Sequence, residues 1–206
     1  MSAPLVAVLD YGIGNLRSAQ KSLERVGADA RLTADIGLIE EADAVVLPGV
    51  GAFGACMQAL HASGLAAPAV DAARSGRPFL GICVGMQLLY EASEEAPGVR
   101  GLGVLDGVVR LIPGDVKRPQ MQWNRLDTRW SDPLLAGLEH DAWVYFVHSY
   151  AAHDSDDVIA TCDYGGPVVA AVNRGTVWAT QFHPEKSGTH GLRLLTNFVE
   201  LARNAA

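Results

Sequence analysis

Three short apolar runs, separated by helix-like patterns, constrain the fold of this 206-residue chain more than any other feature. They occupy residues 5–9, 44–47 and 79–82, and apolar residues recur at helical spacing over residues 16–26 between the first two. Strands that are apolar throughout are typical of a parallel sheet covered on both faces. We therefore predict an α/β fold with an open, mainly parallel twisted sheet and helices on both faces. The length predicts a single domain over residues 1–206.

The second half of the chain changes character, because β-type runs there follow one another with only short turns between them. An amphipathic helix is expected to close the chain over residues 192–202. We expect these runs to form antiparallel additions to the parallel sheet. They occupy residues 108–112, 143–147, 158–161, 168–172 and 177–181.

Composition and charge narrow the classes of function. Hydrophobic residues make up 49% and charged residues 19%, which excludes a disordered chain. The 16 Lys and Arg against 23 Asp and Glu give a net charge of −7. This acidity disfavours nucleic acid and anionic membrane surfaces as partners. Residues 44–70 are uncharged, but glycines and prolines interrupt them, so a membrane span is not expected.

The cysteines and the N-terminus bear on the compartment. Cys56, Cys83 and Cys162 are odd in number and form no CxxC pair, which disfavours a disulfide framework or structural zinc. Asp10 interrupts an N-terminal segment without Lys or Arg, so a signal peptide is not expected. We expect a cytoplasmic protein without a bound metal, in which Cys56 and Cys162 are core residues.

The sharpest local motif is Gly-Ile-Cys-Val-Gly at residues 81–85, where a buried strand meets a helix. This is the spacing of a nucleophile elbow, with Cys in place of Ser. The two glycines permit a sharp turn, and the N-terminus of the following helix favours a thiolate. We interpret Cys83 as a nucleophile, and the alternative is a buried structural cysteine at a strand end.

A thiol nucleophile needs a base, and His183 offers one just beyond the last β-type run. Pro184 favours an extended conformation at His183, and residues two apart in an extended chain face the same side. Glu185 is therefore placed to orient the His183 ring, as the third member of a triad. The alternative is a surface histidine beside a turn.

A third segment, Pro-Gly-Val-Gly at residues 48–51, ends the second apolar run. Ligands of open α/β sheets gather beyond the carboxyl ends of the strands, so this segment is expected near Cys83. The backbone N–H groups of Val50 and Val84 then offer two donors to an oxyanion, while a plain turn is the alternative at residues 48–51. Arg17 stands where a dinucleotide fingerprint requires its third glycine, so no cofactor is expected.

Together these segments resemble the class I (triad) glutamine amidotransferases, whose signature is the elbow and the distant His-Pro-Glu. The finer resemblance is to the glutaminase subunits of imidazole glycerol phosphate synthases, a family of histidine biosynthesis. The segments that carry it are Asp-Tyr-Gly-Ile-Gly-Asn at 10–15, Pro-Gly-Val-Gly at 48–51, Gly-Ile-Cys-Val-Gly-Met-Gln at 81–87, Tyr-Phe-Val-His-Ser-Tyr at 145–150 and Gln-Phe-His-Pro-Glu-Lys-Ser at 181–187.

The resemblance implies a role for each site residue. Cys83 attacks the side-chain amide of glutamine, His183 passes the thiol proton to the leaving ammonia, and Glu185 holds His183. The backbone N–H groups of Val50 and Val84 form the oxyanion hole. The residues that it implies as holders of glutamine are Gly49, Gly51, Gln87, Ser149 and Tyr150.

The resemblance also implies a partner, a separate (β/α)₈-barrel cyclase that forms a heterodimer with this chain. Ammonia would pass to the cyclase, which makes imidazole glycerol phosphate and aminoimidazole carboxamide ribotide. Asn15, Trp123 and Lys186 match family positions near the contact with this partner. One segment departs from the family, which commonly has Pro-His-Met-Gly-Trp-Asn: here Gln120 and Gln122 replace the His and the Gly.

Three other hypotheses remain open on the residues alone. The chain could serve another amidotransferase, such as one of anthranilate synthesis, although the segments at 48–51 and 145–150 disfavour this. It could be a non-catalytic assembly module, against which the intact Cys83, His183 and Glu185 argue. It could also be a cysteine hydrolase of the same sheet type that acts on other amides or on peptides.

Overall fold

The strands follow the runs seen in the sequence and add several shorter ones. The computed structural model describes residues 3–129, 131–138, 141–153 and 155–205. Within these ranges the strands are β1 (Leu5–Leu9), β2 (Asp29–Thr33), β3 (Ala44–Gly49), β4 (Phe79–Cys83), β5 (Ala92–Ser93), β6 (Val108–Leu111), β7 (Gln120–Arg125), β8 (Asp127–Thr128), β9 (Trp143–His148), β10 (Tyr150–Ala151), β11 (Val158–Asp163), β12 (Pro167–Arg174) and β13 (Val177–Thr180).

The helices bury apolar faces against these strands. Ala19 and Leu23 lie on the buried face of the first helix, and Phe53 and Met57 lie on that of the third. The closing helix is the longest in the described ranges and buries Phe198 among others. The helices are α1 (Leu16–Arg25), α2 (Ile36–Glu41), α3 (Phe53–Ala62), α4 (Ala66–Arg74), α5 (Val84–Leu88) and α6 (Gly188–Ala205), with 3₁₀ turns at Pro133–Leu135 and Pro184–Lys186.

One eight-stranded sheet, in the order β2-β1-β3-β4-β13-β12-β11-β8, forms the centre of the molecule. The pairs β2–β1, β1–β3, β3–β4 and β4–β13 are parallel, whereas β13–β12, β12–β11 and β11–β8 are antiparallel. The expected mainly parallel sheet with antiparallel additions is thus confirmed. The details differ for β13, which was expected as an antiparallel addition but runs parallel to β4.

Two further runs of the second half do not join the central sheet at all. β6 pairs with β5 and β10 in a three-stranded sheet, and β9 pairs with β7 in a two-stranded one. β9 alternates between buried and less buried positions, and β7 is largely exposed beyond Gln120. Strands with one exposed face suit a peripheral antiparallel pair better than a sheet covered on both faces.

The sheet register brings the expected site together. β3 and β4 are buried along their full length, and Gly49 at the end of β3 pairs with Cys83 at the end of β4. On the other side of β4, Thr180 near the end of β13 pairs with Ile82. Three parallel strands therefore end side by side, and the segments that follow them meet at one edge of the sheet.

Candidate active site

Cys83 lies on a strained turn between β4 and α5. Its backbone has φ 55° and ψ −112°, a conformation that non-glycine residues rarely adopt. A Cβ on Gly85 would lie 1.9 Å from the carbonyl oxygen of Leu47, and one on Gly81 would lie 3.1 Å from the carbonyl oxygen of Gly85. The two glycines of the elbow therefore allow α5 to press against the ends of β3 and β4.

His183 and Glu185 make the contact expected from their spacing, although the local backbone differs. Nδ1 of His183 lies 2.7 Å from Oε1 of Glu185, and both side chains are 2% exposed. His183 is extended, with φ −97° and ψ 99°, but Pro184 begins a 3₁₀ turn rather than continuing a strand. Asn15 donates from its side-chain amide to the same Glu185 oxygen at 3.3 Å, which fixes the carboxylate from a second direction.

The electrostatics of His183 favour a charged ring. Burial lowers the pKa of His183, but hydrogen bonds to Cys83 and Glu185, and their negative charges, outweigh burial and raise it from 6.5 to about 9. At neutral pH the ring is therefore cationic. Since the folded pKa is raised, the stabilisation from this proton is complete below about pH 6.5 and is lost as the pH rises through 9.

Removal of the Glu185 carboxylate tests this arrangement. We expect Glu185→Ala to lower the pKa of His183 and to reduce turnover about 100-fold, because a positioned acid–base group loses its orienter but the nucleophile remains. NMR titration of His183 and steady-state kinetics measure the two effects. A His183 pKa that stays near 9 in the variant would contradict the charge assignment.

A cavity of about 330 Å³ opens over Cys83 and His183. Its volume suits a small ligand, since ligand sites begin at roughly 300 Å³. Another cavity, of about 350 Å³, is lined by residues such as Arg110, Thr161 and Val168 and contains no residue of the triad. The expected site residues that line the first cavity are Val50, Gly51, Cys83, Val84, Gln87, Ser149, Tyr150, His183 and Lys186.

Gln87 and Gln181 form a buried network that the sequence analysis did not predict. Nε2 of Gln87 donates to the carbonyl oxygen of Tyr150 at 2.9 Å and to Oε1 of Gln181 at 3.0 Å. Nε2 of Gln181 lies 3.9 Å from Sγ of Cys83. The network ties the Ser149–Tyr150 segment to the nucleophile, and these contacts join residues too distant in sequence to form a local motif.

His148 is a second histidine of the cavity that the sequence analysis did not single out. Its Nδ1 lies 2.8 Å from the Tyr150 carbonyl oxygen, which accepts only, so Nδ1 carries the proton. Burial lowers the pKa of His148 to about 4, against the hydrogen bond to Tyr150, so the ring is neutral at pH 7. It therefore differs in charge from His183 in the same cavity.

Glu185 and three other expected site residues lie outside the lining of this cavity, and Lys186 lies at its margin. Gly49 packs behind it, where a Cβ would lie 2.7 Å from the backbone nitrogen of Gly85. Asn15 lies on Glu185, as described above. Trp123 is 48% exposed on β7, and Lys186 is exposed at the edge of the cavity.

The substitutions at residues 120 and 122 have different surroundings. Gln120 is fully buried, and its amide nitrogen lies 3.6 Å from Sγ of Cys162. Gln122 is exposed on β7, so of the two only Gln122 adds a side chain to the surface.

In the described ranges, His, Cys, Asp and Glu side chains form no group of three suited to a metal ion. None of the helices described there is long and apolar enough to cross a membrane.

Comparisons with known proteins identify the relatives of this chain. The family model described as Glutamine amidotransferase class-I matches residues 7–201. A relative from Deinococcus radiodurans, described as imidazole glycerol phosphate synthase subunit HisH, is 51% identical over 201 residues, 96% of this chain and 94% of that protein. A relative of the same description from Methanothermobacter thermautotrophicus is 49% identical over 97% of this chain and 100% of its own length.

Solved structures support the fold independently. A crystal structure of a glutamine amidotransferase superposes with a TM-score of 0.76 at 24% identity, over 96% of this chain and 98% of that one. A structure of PurLQS from Thermotoga maritima gives a TM-score of 0.75 at 20% identity, over the same shares. The chain therefore belongs to the class-I glutamine amidotransferases and, within them, to the HisH family of imidazole glycerol phosphate synthase subunits.

Proposed function

We propose that this chain hydrolyses L-glutamine to glutamate and ammonia through Cys83, His183 and Glu185. The observation that carries the proposal is the buried row of cysteine sulfur, cationic imidazole and carboxylate beside a cavity of about 330 Å³. Nucleophilic catalysis requires an activated nucleophile, a base and a group that orients the base. The membership of the family adds the substrate, since its members act on glutamine.

The reaction follows from the protonation states. The Cys83 thiolate attacks the side-chain amide carbon of glutamine, and the backbone N–H groups of Val50 and Val84 bind the oxyanion that forms. The His183 cation gives its proton to the amide nitrogen, the C–N bond breaks, and ammonia leaves. Neutral His183 then takes a proton from water, whose oxygen attacks the thioester. Glutamate leaves, and the Cys83 thiolate and the His183 cation are restored.

We propose that glutamine lies with its amino-acid end towards Ser149, Tyr150 and Gly51, and that Gln87 sets the position of this end. Gln87 binds the carbonyl of Tyr150 and so fixes the segment on one side of the cavity. Gly49 contributes through the path of β3 rather than through the cavity wall. Polar groups at fixed positions in a cavity determine the orientation of a small ligand.

The second part of the proposal concerns the partner protein and the surface that binds it. Met121, Trp123 and Trp143 are large apolar side chains that are 45–62% exposed on the β7–β9 pair. Their register places them on one face, because Met121 pairs with Val147, Trp123 with Tyr145 and Arg125 with Trp143. Exposed apolar patches mark interaction sites, so we propose that this face docks a separate (β/α)₈-barrel cyclase in a heterodimer.

The same strand pair borders the cavity, which links the two parts of the proposal. Val147 of β9 and Pro119, next to β7, line the cavity over Cys83. Ammonia released in this cavity has only a short distance to travel to a partner bound on the β7–β9 face. We propose that Lys186 and Asn15 lie near this contact, and that the cyclase uses the ammonia to make imidazole glycerol phosphate and aminoimidazole carboxamide ribotide.

The three free cysteines suit a reducing compartment such as the cytoplasm.

Glutamate release tests the proposal. We expect this chain alone to hydrolyse glutamine slowly, and the rate to rise strongly with the barrel cyclase and its nucleotide ligand, because the Gly49–Val50 peptide turns its N–H towards the substrate only in the liganded complex. A full rate without the partner would contradict this gating and point to a free-standing amidase. No turnover in a complex shown to form would overturn the glutaminase assignment.

A further inference from the structure

Two side chains outside the triad hold the segment that carries Val50. The hydroxyl of Tyr11 donates to the carbonyl oxygen of Pro48 at 2.7 Å. The thiol of Cys56, in the first turn of α3, donates to the carbonyl oxygen of Val50 at 3.2 Å. We name Tyr11 and Cys56 the carbonyl clamp.

The positions of the two carbonyls matter more than the contacts alone. The Pro48 carbonyl belongs to the peptide that precedes Gly49, and the Val50 carbonyl belongs to the peptide that follows Val50. The peptide between them carries the Val50 N–H, the oxyanion donor of the proposed function. The clamp therefore fixes the neighbouring peptide on each side of the donor, and so sets the positions of the two Cα atoms about which the planar Gly49–Val50 peptide turns.

The surroundings leave the clamp little room to move. Cys56 is fully buried, and Tyr11 is 5% exposed. A Cβ on Gly49 would lie 2.9 Å from the Tyr11 hydroxyl and 3.0 Å from Cβ of Val84, so the segment is pressed between Tyr11 and the elbow. Oε2 of Glu95 accepts from the backbone N–H of Phe53 at 2.8 Å, which anchors the start of α3.

Both members of the clamp keep the protons that they donate. Burial raises the pKa of the Cys56 thiol, although its hydrogen bonds act in the opposite direction. Burial also raises the pKa of the Tyr11 hydroxyl. Both groups are therefore neutral donors across the range in which the His183 cation exists. A buried carbonyl that lost either donor would be left without compensation, so it would move to find another partner.

We propose that Tyr11 and Cys56 are positioning residues for the oxyanion hole, which hold the two ends of the peptide that presents the Val50 N–H to the reacting carbonyl of glutamine. This inference rests on the proposed glutaminase function. Neither Tyr11 nor Cys56 lines the cavity over Cys83, so the clamp acts through the Gly49–Val50 peptide. Loss of the clamp is therefore expected to slow the reaction steps that form an oxyanion and to leave the rates of other steps unchanged.

The test uses Cys56→Ala and Tyr11→Phe in the full chain, with the barrel cyclase and its nucleotide ligand present. We expect each variant to lower kcat for glutamine about tenfold and to leave KM within about twofold, because one misaligned oxyanion donor weakens the transition state alone. Cys56→Ser keeps a donor at the same place and is expected to restore most of the rate. Alkylation of Cys83 by iodoacetamide forms no oxyanion, so its rate is expected to stay at the wild-type value.

The controls separate the possible failures. Cys162→Ala removes another buried thiol in β11, which three strands separate from β3, and is expected to leave kcat unchanged. Equal loss of glutamine turnover and alkylation in the clamp variants would indicate a general disturbance of Cys83 and overturn the inference. Wild-type kcat in both variants would also overturn it. Wild-type protein that reacts with iodoacetamide but never releases glutamate would instead overturn the proposed function.

Discussion

Cys83→Ala is expected to abolish glutamine hydrolysis, with a loss of roughly 10⁴-fold or more in kcat, since removal of a nucleophile disables the whole catalytic unit. The variant is expected to fold and to bind its partner. The Cys83 side chain is buried beside the cavity, it is not part of the exposed face of β7 and β9, and Ala removes only its sulfur. Glutamate release and titration with the cyclase measure the two properties separately.

Cys83→Gly is the matched variant, because it removes the same sulfur and also the backbone strain. At φ 55° and ψ −112° a glycine is relaxed, whereas alanine is not. We expect both variants to be inactive and Cys83→Gly to be more stable than Cys83→Ala by about 1 kcal/mol in urea unfolding. Appreciable glutaminase activity in either variant would remove Cys83 from its role as the nucleophile.

The parts of the fold that could be predicted are those whose signal lies within one element. β1, β3 and β4 are continuous apolar runs, and buried strands of this kind need no partner to be recognised. β2 was missed because only two of its five residues are buried, so its apolar signal is interrupted. The direction of β13 was missed because an apolar run carries no information about which neighbour it pairs with.

The same distinction separates the predicted site residues from the missed ones. Cys83, His183 and Glu185 lie in short motifs at strand ends, and the general placement of ligands at such ends brings them together. Gln181 and Tyr11 act through contacts across 98 and 37 residues of sequence. Cys56 reads as a core residue, and its burial agrees with that, but only the three-dimensional placement shows its thiol on the Val50 carbonyl.

Asn15 shows how a family position and a local contact differ. The resemblance placed it near the partner, whereas within this chain its amide lies on Glu185. The two placements are compatible. At this position Asn15 contacts Glu185 of the triad with its amide and also borders the contact expected with the partner. No pattern in the segment 10–15 predicts that the amide of Asn15 meets a carboxylate 170 residues further along the chain.

Gly85→Ala is expected to cost about 3 kcal/mol of folding free energy, the upper part of the range for overpacking. The new Cβ would lie 1.9 Å from the Leu47 carbonyl oxygen and 2.8 Å from its carbon, and both atoms are backbone within β3. A flexible side chain could yield, but here α5 must separate from the sheet. Urea unfolding measures the loss, and glutamine turnover is expected to fall with it, because the proposed oxyanion donors Val84 and Val50 lie next to Gly85 and to the end of β3.

Gly37→Ala provides the matched control for this substitution. Gly37 lies exposed in α2, its backbone does not need a glycine, and a Cβ there would meet only Oδ1 of Asp35 at 3.2 Å. Alanine favours a helix over glycine, so we expect a change within about 1 kcal/mol and unaltered turnover. A Gly85→Ala protein as stable and active as Gly37→Ala would mean that α5 and β3 can part without cost. The close contact between Gly85 of the elbow and Leu47 of β3 would then not be what keeps the active-site segments in position.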